Sequence, residues 1–273
     1  MSQVIPQSLD PTTRYLSTTQ AYDLWSAVYD TDGNFLQALD TIEMKTLMPR
    51  MLEILDGDSC PRPWTMVDLG CGTGRNTAAL LEVERAASVV GLDLSPGMLE
   101  VAKERLQKFH ASGKLQLKVY DMVQESMPPE CAIGADAVVS TLVIEHIPAD
   151  IFFSTVAKIL RPGGILVLTN MHSEMGKISQ AGFIDPKTGE KIRPTSYSHT
   201  LAEVEAAALK SGFEVLGQIK EKAVDESMVA TLGQRSGKWV GITVWFGGIL
   251  RKKLHDSPSI REEAAQEAVS VSD

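Results

Sequence analysis

The residues best placed to do chemistry lie in three short turns. The first is Val67-Asp68-Leu69-Gly70-Cys71-Gly72-Thr73-Gly74. It follows a predicted strand, Thr65–Leu69, and opens a predicted helix, Asn76–Val83. Glycines there permit a tight bend and let a ligand approach the backbone closely. The second turn is Val90-Gly91-Leu92-Asp93-Leu94-Ser95. Asp93 stands near the spacing of about 20 residues at which a carboxylate receives ribose hydroxyls. One carboxylate can accept two donors at once. Asp93 could also be a turn or N-cap aspartate, a role equally open to Ser95. The third turn is Val119-Tyr120-Asp121-Met122. Asp121 could accept from an adenine exocyclic amine while the Met122 N–H faces a ring nitrogen. Aspartate is also common in plain turns.

Positioning these turns requires an alternation of strands and helices. Predicted strands are Thr65–Leu69, Ser88–Asp93, Leu115–Tyr120, Ala135–Thr141 and Ile165–Asn170. Between them fall helical stretches: Asn76–Val83, one capped by Ser95 with Pro96 at its first position and reaching Phe109, and Pro148–Leu160. The pattern implies a Rossmann-like α/β sheet, mostly parallel, with helices on both faces. Ligands bind outside the carboxyl ends of such strands, where all three turns fall. The glycine turn alone would serve a dinucleotide, a nucleotide or S-adenosylmethionine. Its spacing is GxGxG rather than GxGxxG, so an NAD-dependent dehydrogenase is a distant alternative.

Around this core, residues 1–18 read as a loose polar arm and 19–60 as a helical entry segment, helical over 19–56. The main domain is expected over 61–252, with a lid or substrate insertion at about 171–199 and a tail over 253–273. The insertion could also be a surface loop. A helix, Leu201–Ser211, and two strands, Phe213–Ile219 and Trp239–Leu250, are expected after it.

Composition narrows the partners. The 273 residues carry a formal net charge of −9, with 44% hydrophobic and 22% charged residues. This suits a packed globular core and argues against nucleic acid as main partner. The three cysteines, Cys60, Cys71 and Cys131, have no disulfide or zinc spacing. No His/Asp/Glu cluster has metal-ligand spacing. No signal peptide and no membrane-spanning run are read. A cytoplasmic monomer or homodimer acting without membrane or metal is expected.

The segments VDLGCGTGRNT, GLDLSPGML, VYDM, ADAVVSTLVIEHIP and LRPGGILVLTN occur in the order and spacing of class I S-adenosylmethionine-dependent methyltransferases. They are most similar to the branch holding the ubiquinone/menaquinone and many small-molecule methyltransferases. The run Tyr22–Asp30 looks like that branch's entry helix. The resemblance implies a seven-stranded sheet with one antiparallel strand inserted beside the fifth. It implies S-adenosylmethionine as cofactor, framed on its methionine side by Gly70, Cys71, Gly72 and Gly74. It further implies Asp93 on ribose, Leu94 and Met98 beside adenine, Asp121 and Met122 at its edge, and Ser140 and Leu142 along the methionine.

On the acceptor side, Tyr22, Trp25 and Tyr29 could wall off the methyl donor and attract its sulfonium, or could be ordinary packing. Cys71 reads as a small residue that fits its turn. A general base, if one is used, would be a histidine. His172, after the fifth strand, and His199, before a predicted helix, are the candidates. His146 is a weaker one, since it could simply fix its loop. The expected activity is methyl transfer to a small apolar molecule, at oxygen, in natural-product biosynthesis. The alternatives are a catalytically silent methyltransferase-like regulatory protein, or an enzyme of non-methylating chemistry such as dehydration or pericyclisation.

Overall fold

A computed structural model describes residues 3–4, 12–57 and 63–254. Cys60, His255 and nearly all of the expected tail lie outside the described residues.

The core strands are β1 (Trp64–Leu69), β2 (Ala86–Asp93), β3 (Leu115–Val119), β4 (Ala135–Thr141) and β5 (Leu160–Met171). Three more follow: β6 (Phe213–Val215), β7 (Lys220–Ala223) and β8 (Thr243–Lys252). Their order across the sheet is β6-β8-β5-β4-β1-β2-β3, with β7 also paired to β8. β1 to β5 pair in parallel, whereas β8 runs antiparallel to β5, β6 and β7. The sheet thus has seven positions, the outermost split between β6 and β7, and one reversed strand, as expected.

A parallel sheet covered on both faces needs near-continuous apolar strands, and all seven residues of β4 are buried. The pleat sends alternate residues to opposite faces. Met66, Val89, Ala137, Val139 and Val167 face one core cluster together with α2 (Phe35–Gly57) and α3 (Arg75–Leu81). Val67, Val90, Val138 and Leu166 face the other, with α5 (Ala149–Ile159) and α7 (Leu201–Lys210). The remaining helices are α1 (Thr18–Trp25), α4 (Pro96–Arg105), α6 (Ser173–Ile178) and α8 (Val229–Leu232).

Several expected boundaries change. The helix read over 19–56 is broken: α1 ends at Trp25, and α2 begins only at Phe35. Gly33 takes a left-handed φ of 72°. Asn34 Oδ1 accepts from the N–H groups of Leu36 and Gln37, so turn chemistry overrides helical spacing there. The strand read over 213–219 stops at Val215 and resumes at Lys220, across Gly217 at φ 85°. Trp239 closes a 3-10 turn instead of opening a strand, and Gly241 at φ 84° separates it from β8.

Described residues of the opening arm pair with strands of the insertion. Thr13–Tyr15 lies parallel to Lys191–Arg193, which pairs antiparallel with Phe183–Ile184. Gln3–Val4 pairs with Tyr197–Ser198. Arm and insertion therefore build two small sheets together. No described helix is long and apolar enough to cross a membrane.

Candidate functional site

The glycine turn has its conformation for steric reasons. Gly70 adopts φ 76°, and a Cβ there would sit 2.2 Å from Val143 Cγ2. A Cβ on Gly72 (φ 53°) would meet nothing within 4 Å. Gly74 (φ 83°) is the N-cap of α3, and a Cβ there would crowd Ala102 on α4 and Leu106 at that helix's C-cap. The Gly70 and Cys71 N–H groups donate to Leu92 O at 2.7 and 2.9 Å, tying the turn to β2.

Asp93, ending β2, grips this turn. Its Oδ2 accepts from Gly72 N–H at 2.7 Å and its Oδ1 from Ser95 N–H at 2.8 Å. Burial pushes its carboxyl above the ordinary value, opposed by those two N–H groups. Ser95, not Asp93, caps α4, with Oγ accepting from Met98 N–H at 3.1 Å. Asp23 on α1, which sequence reasoning passed over, accepts from Ser95 Oγ and Gly97 N–H at 2.5 and 2.9 Å. It fastens α1 over the strand ends.

The result is a cavity of about 300 Å³ at the carboxyl ends of β1, β2 and β4. Gly70, Gly72, Asp93, Leu94 and Met98 line one side, and Asp121 and Met122 another. Tyr22, Tyr29, Leu142 and His146 close it. Asp121 Oδ1 accepts from Val123 and Gln124 N–H at 2.8 and 3.2 Å, which leaves its other oxygen for a ligand donor. Leu142 has a left-handed φ of 58°, an uncommon conformation for a branched side chain and one found at ligand sites.

Other expected site residues lie elsewhere. Ser140 is fully buried, its Oγ spent on Leu69 O at 2.8 Å. Cys71 packs its Sγ toward Gly91, and burial raises its thiol, so it is a filler of the turn. Gly74 shapes the helix start and does not line the cavity. Trp25 lines a neighbouring cavity, its Nε1 donating to Asp32 Oδ2 at 2.8 Å.

The histidines exchange places. His172 lines neither cavity: its Nδ1 caps α6 by accepting from Glu174 N–H at 3.1 Å, and its Nε2 lies 2.9 Å from Glu221 Oε1. His199 is buried, with Nε2 2.9 Å from both Ile144 O and Ile147 O. An N–H must stand there, so that nitrogen has no lone pair for a substrate, and burial lowers the ring's pKa. His199 thus fixes the turn that bears His146. His146, the weaker candidate, is the one in the cavity. Its Nδ1 faces Thr195 O at 2.9 Å and its Nε2 faces the Tyr22 hydroxyl at 2.8 Å. Burial raises Tyr22 well above the ordinary tyrosine range, so its hydroxyl stays protonated and donates to Nε2.

Glu145 was overlooked. It is 4% exposed and lines the neighbouring cavity. Its only sequence signal was its place beside His146 in the turn after β4. Among the described residues no His/Cys/Asp/Glu cluster could hold a metal ion.

The comparisons with known proteins place this geometry. The profile described as "Methyltransferase domain" matches residues 67–166. The chain belongs to the class I S-adenosylmethionine-dependent methyltransferases, and its cofactor is S-adenosylmethionine. Within that class it is 49% identical over 257 residues to the uncharacterised methyltransferase AN0656 of Emericella nidulans, covering 85% of this chain and 90% of that one. It is 31% identical over 133 residues to an O-methyltransferase of Pyrenophora dematioidea, 48% of each chain. The fold resembles the crystal structure of the [4+2]-cyclase SpnF, with a TM-score of 0.57, 15% identity, and 89% and 98% of the two chains covered. That likeness shows the fold alone.

Proposed function

We propose that the 300 Å³ cavity holds S-adenosylmethionine and that the enzyme methylates a hydroxyl of a small, largely apolar molecule in secondary metabolism. The carrying observation is the clamp of Gly72 N–H on Asp93 beside open space where any side chain on Gly72 would protrude. Each Asp93 oxygen keeps a lone pair for a ribose hydroxyl. Leu94 and Met98 offer apolar surface to adenine, and Asp121 with the Met122 backbone faces its polar edge. Gly70 and Leu142 border the methionine portion.

When bound, S-adenosylmethionine supplies an electrophilic methyl group, so the chain's own work is orientation and electrostatics. Tyr22 and Tyr29 present aromatic faces at the junction of the two cavities, which suits a sulfonium. Tyr22 is held in place by His146, and His146 by Thr195 O. The choice of oxygen draws support from the Pyrenophora relative's name. The apolar acceptor draws support from the aromatic and thioether residues, Trp25, Phe35, Trp239, Met171 and Met175, on part of the neighbouring cavity's wall.

Asp93→Ala is expected to weaken S-adenosylhomocysteine binding by about 1.5–3 kcal/mol, the range for hydrogen bonds to a charged group. Unchanged affinity by calorimetry would refute the ribose assignment. Incubation with methyl-labelled cofactor and cell extract should place label on a small hydroxylated molecule. Label on nitrogen or carbon would displace the O-methylation reading.

A further inference from the structure

Next to the cofactor cavity is a smaller one of about 130 Å³. The two share Tyr22, Tyr29 and Leu142. Its volume is close to the roughly 150 Å³ that accommodates one benzene ring. Trp25, Phe35, Trp239, Met171 and Met175 give it aromatic and thioether walls, and Lys191, Arg235 and Lys238 give it a cationic side.

Glu145 is the one carboxylate among the residues that line it. Its Oε2 is buried and has no hydrogen-bond partner. Its Oε1 stands 3.4 Å from His146 Nε2. That nitrogen is already engaged: with the ring proton on Nδ1 toward Thr195 O, Nε2 accepts from Tyr22. Neutral His146 therefore offers Glu145 no proton. A buried acceptor without a donor is destabilising, and such an atom in a ligand-sized cavity calls for a ligand that completes it.

We propose that this smaller cavity is the acceptor subsite, that it takes a single hydroxylated aromatic ring, and that Glu145 Oε2 accepts the ring hydroxyl's hydrogen bond. The proposal rests on the larger cavity being the cofactor's. The volume and the aromatic walls suit one planar ring, and the unpartnered Glu145 oxygen selects a donor. A carboxylate oxygen can only accept, so the hydroxyl that meets Oε2 carries its proton. As the ring oxygen gains the methyl carbon, the C–S electron pair stays with the cofactor's sulfur. The oxygen's proton, made strongly acidic by that alkylation, passes to Glu145 Oε2 and leaves for solvent with the product.

The test uses the full-length chain saturated with S-adenosylhomocysteine and titrated with phenol and with toluene, which matches phenol in shape but lacks the donor. Quenching of tryptophan fluorescence reports binding, since Trp25 and Trp239 line the cavity. The phenol-over-toluene preference of the wild type should fall at least tenfold in Glu145→Leu, with S-adenosylhomocysteine affinity unchanged. An unaltered preference overturns the proposal, as does a wild type that binds the nucleoside but neither ring. Should Glu145→Leu fail to fold, Glu145→Gln decides. Its neutral oxygen is a weaker acceptor, so the preference should fall at least threefold, and no fall overturns the proposal. A wild type that does not bind S-adenosylhomocysteine would overturn the cofactor reading instead.

Discussion

Asp68, just before the glycine turn, is 1% exposed, and Thr77 donates its hydroxyl to Oδ2 at 2.5 Å. Burial raises its carboxyl from 3.8 to about 6, with the Thr77 hydrogen bond and Arg75 opposing the rise. The folded state then holds a proton that the unfolded state releases between about pH 4 and pH 6. This contribution to stability is fully present below about pH 4 and is lost as pH rises through about 6. Its size is about 3 kcal/mol at 1.36 kcal/mol per unit. Asp68→Asn should remove that component from the pH profile of urea unfolding; a profile parallel to the wild type's would count against it. Asp93 and Asp121 were legible in the sequence because a strand end fixes where a residue stands. The histidines were not, because ring orientation is set by distant partners. His199 is occupied by carbonyls 52 and 55 positions away. Glu145 beside a histidine in a turn reads as surface until tertiary packing buries it.

Among the elements, α1 and the insertion depend on each other. Trp25 stacks on Phe183 at 5.1 Å and 12°, and Ile192 joins the same cluster. Thr13–Tyr15 adds a parallel strand alongside. Deleting residues 1–16 removes that strand and the Leu16 N–H donation to Arg193 O at 3.1 Å. Limited proteolysis should then cut faster within residues 179–196, while the core sheet keeps its melting temperature within a few degrees. Cleavage at the wild-type rate would show that the insertion stands without the arm. The short strands within residues 171–199 were not legible in the sequence, since two- and three-residue strands are too short for a period to register. The break between α1 and α2 was visible as Thr31-Asp32-Gly33-Asn34. Apolar spacing on either side concealed it, although glycine and asparagine are turn formers for definite backbone reasons.

At the scale of the whole molecule, the sheet was legible from 64 to 170 because each buried strand is a compact apolar run between helices with clear caps. Phe152 and Phe153 on α5, fully buried and edge-to-face at 5.2 Å, help fix one helical layer to it. Phe152→Ala should cost about 3–5 kcal/mol, read as a lower urea midpoint with S-adenosylhomocysteine still bound by the folded fraction. A loss under about 1 kcal/mol would mean that the layer repacks freely. β8 enters the sheet between β5 and β6 although it is the last described strand in the chain. During synthesis from the amino end, β5 therefore emerges with one whole edge unpaired and stays so until residues 243–252 leave the ribosome. An apolar edge waiting that long invites pairing with a neighbouring nascent chain. Yield in the cell should thus depend on chaperone supply and translation speed more steeply than the finished enzyme's resistance to urea would suggest.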